Sequence, residues 1–396
     1  MPKLSSLGSF PFFSKIKKIA ERIRVNLYLV GGPLRDILLK RRVKDIDLAV
    51  DGDSFKFASE LAKSLKGEVF FYPQFLTAKV KWKGRIIDIA RTRKEVYEKP
   101  AQLPKVTPAG IEEDLKRRDF TINAIAYDIR KEEILDPFTG KRDLEKGIIR
   151  VIHPKSFIDD PTRIIRGIRF AKRFGFEMEK NTLRWAKEAI EGSFFSLLSG
   201  ERFLQELKLI MKEKNWLMMI KEINRLGIFK SYLKRDLPEE AIKGLNLIKR
   251  GRNISSELFL FYLLSFFPQT ERLPLTREEK REIFAFRKLY SLKRRLSKAR
   301  RPSTICQILK GFPISSLRLI KELFAKEEGD KIREFLKRYR KVKTILTGKE
   351  LKGLGIKPEV KYSEFLTKIL YQRLDKKIKT RKEELRYLRR LLRKYG

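Results

Sequence analysis

Between residues 26 and 90, apolar and polar positions come in short runs with a period of two. Leu27-Tyr28-Leu29-Val30, the Asp45-Ile46-Asp47-Leu48 stretch, Glu68 to Tyr72, Ala78 to Trp82 and Arg85 to Ala90 all read as strands. Lys83-Gly84 joins the last two as a hairpin. Leu34 to Lys40 and Phe55 to Leu65 carry helical spacing instead. Arg91 to Gly110 is polar with three prolines, which predicts a mobile loop. Ile111 to Tyr127 is expected to be helical, with Glu112, Glu113 and Asp114 early and Arg117 and Arg118 later, as the helix dipole favours. Asp136 to Gly140 is a turn. Residues 1–25 read as a basic amphipathic lead-in helix, expected to start near Pro11.

Beyond about residue 150 the period shifts to that of a helix. Stretches 162–176, 181–191, 200–213, 216–226 and 239–250 all carry it. Pro268 to Pro274 and Arg300 to Pro302 break the pattern, and a last helix spans Lys379 to Tyr395. The fold class expected is therefore α+β, a mixed head followed by an all-helical remainder.

Composition adds a partner. The 396 residues suit two to four domains, and 42% are hydrophobic. Lys and Arg total 93 against 50 Asp and Glu, a formal charge of +43. A solvated surface rich in ion pairs would balance its signs. This excess points to a polyanion, nucleic acid before an anionic membrane, because neutralising phosphates releases counterions. The single cysteine, Cys306, excludes an intrachain disulfide and fits a reducing, cytoplasmic setting. With His153 as the only histidine, the usual Cys/His zinc sites are excluded too. His153 precedes Pro154 and is expected to be structural. No secretory signal is evident, and the apolar run Leu258 to Phe267 is too short to span a bilayer, so it reads as a core helix.

Three constellations carry candidate chemistry. Gly31-Gly32-Pro33-Leu34-Arg35-Asp36 follows a strand directly, so backbone N–H groups at Gly31 and Gly32 can approach a phosphate. Arg35 suits a phosphate of an incoming nucleotide, or an ion pair with Asp36 or Asp45. Asp45 and Asp47 alternate with Ile46 and Leu48, so a strand puts both carboxylates on one face. Such a pair repels itself and gains most by sharing Mg²⁺, as in-line attack on a triphosphate requires. Asp88, between apolar neighbours on a later strand, would complete the metal site, accept a proton from an attacking 3′-hydroxyl, or simply face outward. In the second constellation, Arg118, Asp119 and Asn123 meet near sugar and phosphates if residues 119 and 123 share a helix face. In the third, Asp159-Asp160-Pro161-Thr162-Arg163 begins a helix along which Arg166, Arg169 and Arg173 extend a basic stripe. An Asp before Pro is a good helix cap. Asp160 and Arg163 also complement the donor–acceptor edge shared by cytosine and adenine and oppose that of uracil and guanine. Gly200 to Leu207 reads as a packing and polar-network segment.

Together these motifs resemble the class II tRNA nucleotidyltransferases, the CCA-adding family that includes bacterial poly(A) polymerases. The likeness covers roughly residues 26 to 210, with Asp159 in place of the family's usual Glu. It implies a polymerase-β-like nucleotidyltransferase head (1–149), a helical neck that reads the base (150–215), a helical body (216–300) and a basic tail (301–396). It also implies Mg²⁺, ATP and often CTP, and a tRNA held at acceptor stem and elbow. Asp45 and Asp47 would be the metal ligands, and the ribose contact falls on Arg118. The segment Thr347-Gly348-Lys349-Glu350-Leu351…Leu354-Gly355-Ile356 is more loosely similar to a tail element of some members and leans the expectation toward A-adding over CC- or CCA-adding. A poly(A) polymerase and a non-catalytic RNA-binding protein are the alternatives.

Overall fold

The structure is a computed structural model that describes residues 13–43, 45–248, 255–353 and 362–395. It divides into two compact units, Met1–Asp236 and Leu237–Gly396. The first opens with α1 (Phe13–Ile23), β1 (Asn26–Val30), α2 (Gly31–Leu38), β2 (Ile46–Asp51), α3 (Ser54–Leu65), β3 (Glu68–Tyr72), β4 (Thr77–Trp82) and β5 (Arg85–Arg91). There follow β6 (Arg93–Val96), β7 (Lys105–Pro108), α4 (Ile111–Lys116), β8 (Ala126–Asp128), β9 (Glu133–Leu135), α5 (Gly140–Lys146) and β10 (Ile148–Ile149). The helical part of this unit comprises α6 (Ser156–Asp159), α7 (Thr162–Phe174), the short β11 (Glu177–Met178), α8 (Lys180–Glu191), α9 (Gly200–Met211), α10 (Trp216–Arg225) and α11 (Ile228–Leu233).

Among the described residues, seven strands form one mixed sheet in the order β3-β4-β5-β2-β1-β8-β9. Only β2 and β5 run parallel within it, and they place Asp47 directly opposite Asp88. Alternation gives the sheet two different faces. Leu48, Ile89 and Ala78 lie in register on one face, beneath the buried Phe57, Ala58 and Leu61 of α3. Asp53 starts that helix by accepting from the backbone N–H groups of Phe55 and Lys56 at 3.0 and 2.9 Å. On the other face Tyr28, Val30 and Ala49 pack with Leu115, Ala124 and Ala126, and this face carries Asp47.

Two sequence expectations fail in instructive places. The stretch 91–110 is no structureless loop, since β6 and β7 pair as an antiparallel ribbon. Its charges are held by partners: Arg117 reaches Glu95 at 2.8 Å, and the backbone N–H of Arg93 reaches Asp114 at 3.3 Å. The helix expected over 111–127 stops at Lys116. A 3-10 turn follows at Thr121–Asn123, and β8 then pairs with β1. Hydrogen bonds from Thr121 N to Arg150 O and from Thr121 Oγ1 to Asp143 fix that change of path. α2 also starts earlier than expected, at Gly31. Ile148–Ile149 and Glu177–Met178 form a short parallel pair inside the helical stretch.

The second unit is helical throughout its described residues: α12 (Glu239–Ile248), α13 (Ser256–Ser265), α14 (Arg277–Arg287), α15 (Leu289–Lys298), α16 (Pro302–Leu309), α17 (Ile314–Leu323), α18 (Lys326–Lys337), α19 (Gly348–Gly353), α20 (Tyr362–Leu374) and α21 (Arg381–Tyr395). The apolar helix α13 is its core, with Leu258 to Leu264 all buried. Gly244 lets α12 pass so close that a methyl group there would overlap the Tyr262 hydroxyl. The buried Glu384 accepts from the N–H groups of Ile345 and Leu346 and from Arg373, at 3.0, 2.8 and 2.8 Å. This pins α21 over the cluster of Leu346, Leu351, Phe365 and Ile369 and leaves Arg386, Arg389, Arg390 and Arg393 on its exposed side. The tail segment at 354–356 lies outside the described residues. No helix of the described residues is long and apolar enough to cross a membrane.

Candidate active site

Gly31 ends β1 and begins α2 with φ +68°, a conformation that favours glycine. A Cβ built there would stand 3.0 Å from Arg118 Nη1 and 3.5 Å from Asp47 Oδ2. The missing side chain therefore brings backbone, carboxylate and guanidinium together at one point. They line a cleft of about 470 Å³ with Gly32, Arg35, Asp119, Asn123, Asp160, Arg163, Arg166 and Arg169. Twelve residues singled out from the sequence, Arg173 among them, thus share one cavity, and Asp45 and Asp88 do not line it. Asp45 is exposed one residue before β2, and Asp88 forms a 2.9 Å ion pair with Lys79.

Burial, helped by the charges of Asp88 and Asp45, pushes the Asp47 carboxyl up to about 6, against the pull of Arg118 and Lys79. Unrelieved negative charge of this kind fits a divalent cation. Among the described residues no group of three or more His, Cys, Asp or Glu side chains could hold a metal alone. Mg²⁺ takes one or two carboxylates and completes its shell with water and substrate phosphates.

Behind the cleft runs a polar chain. Arg35 Nη1 donates to Asn123 Oδ1 at 2.7 Å, and Asn123 Nδ2 donates to Asp119 Oδ1 at 2.9 Å. Arg166 clamps Asp119 Oδ2 through Nε and Nη2 at 2.9 and 2.7 Å. Burial alone would raise the Asp119 carboxyl, yet Arg166 and the bonds from Asn123 and Arg166 hold it down at about 2. Residues 119 and 123 do meet, through a 3-10 turn and not an α-helix. Arg35 is also paired with Asp36 at 2.7 Å, and its guanidinium lies 5.2 and 4.8 Å from the Phe170 and Phe174 ring centroids. Arg118 is aimed by the fully buried Asp114 at 2.9 Å and by the Asn123 carbonyl at 3.2 Å, and its Nε is buried without a partner. The basic stripe of α7 is largely neutralised: Arg166 by Asp119, Arg169 by Glu206 at 3.7 Å, and Arg173 by Glu213.

At the start of α7, Asp160 and Arg163 are held separately. Asp160 Oδ1 accepts from Thr162 N at 2.9 Å, from Thr162 Oγ1 at 2.5 Å and from Arg202 Nη2 at 2.6 Å. Arg163 donates to Ser156 Oγ at 2.7 Å, the Arg117 carbonyl at 2.8 Å and Tyr97 OH at 3.4 Å. A guanidinium has five N–H groups. Two of them, and Asp160 Oδ2, keep no hydrogen bond among the described residues. Pro161, not Asp160, takes the N-cap position of α7, while Asp160 holds the first helical N–H at Thr162 and keeps an unused edge.

Sequence reasoning missed Glu95, Tyr97 and Phe170 and gave Arg117 no site role, yet all four line the cavity. Tyr97 directly follows β6 in the stretch expected to be a loop, and its OH donates to Glu95 at 3.0 Å. Burial raises its phenol, with Arg163 opposing and Glu95 adding. The alternating Phe120, Ile122 and Ala124 were the available signal that the segment around Arg117 was not a plain surface helix. Arg202, read as part of a polar network, is the partner that fixes Asp160.

The chain is similar to known proteins along most of its length. A family profile described as "Poly A polymerase head domain" matches residues 27–150. The A-adding tRNA nucleotidyltransferase of Geobacter sulfurreducens is 31% identical over 94% of this chain, which spans 46% of that relative. The chain thus covers about half the length of that relative. The A-adding tRNA nucleotidyltransferase of Halalkalibacterium halodurans is 31% identical over 95% of this chain and 91% of its own. A solved complex of a CCA-adding enzyme with ATP superposes with a TM-score of 0.79 at 30% identity, covering 99% of this chain and 96% of that one. With likeness running along nearly the whole length of one relative, the chain belongs to the tRNA nucleotidyltransferase and poly(A) polymerase family.

Proposed function

We propose that this protein transfers a nucleotide from ATP to the 3′ end of a tRNA, without a nucleic-acid template, as an A-adding enzyme. The observation that carries the reading is the meeting of Gly31, Asp47 and Arg118 at one end of a cleft whose lining also holds Asp160 and Arg163. Asp45 and Asp47 would hold the magnesium ions, whose charge, once bound, stabilises the phosphate oxygens at the reaction centre. The Gly31 and Gly32 backbone and Arg35 receive the triphosphate, and Arg118 the ribose. The RNA 3′-oxygen bonds to the α-phosphorus, the bond to the β-phosphate breaks, and pyrophosphate leaves. Asp88, opposite Asp47 in the next strand and paired with Lys79, would take the hydroxyl proton or join the metal shell. The unused edges of Asp160 and Arg163 read the base. They complement adenine and cytosine alike, so the preference for A rests on the relatives' names, not on this pair. The exposed arginines of α21 suit the phosphates of a folded RNA.

The test supplies Mg²⁺, labelled ATP or CTP, and tRNAs ending at the discriminator base, at C or at CC. Label from ATP on the CC-ended tRNA alone is expected. CTP incorporation would make the enzyme CC- or CCA-adding, and long tails on unstructured RNA would make it a poly(A) polymerase.

A further inference from the structure

The face of the sheet that bears Asp47 does not end at the carboxylates. Asp47 lies opposite Asp88, Asp88 opposite Lys79, and Lys79 opposite Phe70. The next row on that face runs Ala49, Ala90, Thr77 and Tyr72. Cross-strand partners share a face, so Phe70 and Tyr72 stand on the carboxylate side. Their neighbour Phe71 points the other way, edge-on to Phe55 of α3 at 5.4 Å. Phe70 is 40% exposed and Tyr72 38%, on the edge strand of the sheet. Lys81 Nζ lies 4.6 Å from the Phe70 ring centroid.

Exposed aromatic rings on an edge strand invite aggregation, and β3 keeps three of them: Phe71, 43% exposed, on one face, and Phe70 and Tyr72 beside lysines on the carboxylate face. Rings interleaved with cations are what unpaired nucleotides bind, because every base has a face to stack and every linkage a phosphate to neutralise. Three strand spacings, roughly 14 Å, separate β2 from β3. That is within reach of the last nucleotides of a strand whose end sits at Asp47. We propose that Phe70 and Tyr72 form a stacking platform for the unpaired 3′-terminal nucleotides of the RNA being extended, with Lys81 on their phosphates. This rests on the transferase reading above and adds where the primer strand lies.

The probe is a fluorescent RNA hairpin with or without a 3′ CC overhang, titrated with the full-length protein in the absence of ATP. Wild type binds the overhang hairpin more tightly. The Phe70→Leu/Tyr72→Leu double variant loses that preference by at least about fivefold, the low end expected for one lost base–ring stack. Its KM for ATP and its thermal midpoint stay unchanged. Phe70→Trp, which keeps the strand and enlarges the ring, holds or tightens overhang binding. The proposal is overturned if the double variant keeps the overhang preference, if Phe70→Trp weakens it, or if the variants lose blunt and overhang RNA equally. It is overturned too if they abolish only a dimer joined along β3. A wild type that discriminates the overhang yet transfers no nucleotide would refute the transferase reading and leave the platform standing.

Discussion

Asp119 offers a prediction in which the magnitude follows from the structure. Replacing it with Asn keeps the shape and removes the charge that Arg166 clamps at 2.9 and 2.7 Å. The folded carboxyl sits at about 2 against an ordinary 3.8. Holding the carboxyl that far below its ordinary value corresponds to about 2–3 kcal/mol of stability at pH 7. For a cooperative unit of 150–250 residues, that lowers the thermal midpoint by about 5 to 10 °C. The folded pKa is depressed, so the contribution is complete above the unfolded value near 4 and is lost as pH falls through 2. At pH 3 about half of it remains. Urea unfolding of wild type and Asp119→Asn, followed at several pH values from 7 to 3, should therefore show two curves that converge toward acid. A gap that is absent at pH 7, or the same at both ends, would mean that Asp119 is not held ionised by Arg166.

Three further outcomes follow. Burial and like charge raise the Asp47 carboxyl, so at pH 7 it destabilises the metal-free protein, a penalty relieved as pH falls below about 6. Asp47→Asn in EDTA should then raise the unfolding midpoint by a few degrees at pH 7, by about half as much at pH 5 and by little at pH 4, as calorimetry can check. Gly31→Ala forces a methyl group at φ +68° to within 3.0 Å of Arg118, and should cost about 1–2 kcal/mol in unfolding free energy and most of the transfer rate. Arg163→Ala should lose ATP-over-UTP discrimination by about tenfold or more in kcat/KM, since a paired donor and acceptor at a base edge is worth roughly 1–3 kcal/mol.

How much of this was legible from sequence depended on what carries each element. The strands of the sheet from β1 to β5 announced themselves because apolar residues fill one or both faces, as Leu48 and Ile89 do beneath α3. The ribbon of β6 and β7 did not, because Arg93, Glu95, Arg117 and Asp114 are buried as paired charges, and a hydrophobic pattern counts them as surface. The segment after Lys116 was misread for a related reason. Its path is set by distant partners, Arg150 and Asp143, which no local window contains. The candidate site was easier, since glycines at a strand end and carboxylates at alternate positions state their geometry locally. Glu95, Tyr97 and the pairing of the α7 arginines with Glu206 and Glu213 lay beyond reach, because those partners come from other stretches of the chain tens of residues away.

The central claim is that the Asp47 cleft joins a nucleotide to an RNA end. Its most direct measurement is the incorporation of labelled AMP into CC-ended tRNA by wild type and Asp47→Asn at equal concentration with Mg²⁺. The account predicts one adenosine per tRNA from wild type and a rate lower by about a thousandfold or more in the variant, on the scale of several kcal/mol of metal-borne charge stabilisation. Equal rates from the two proteins would contradict it.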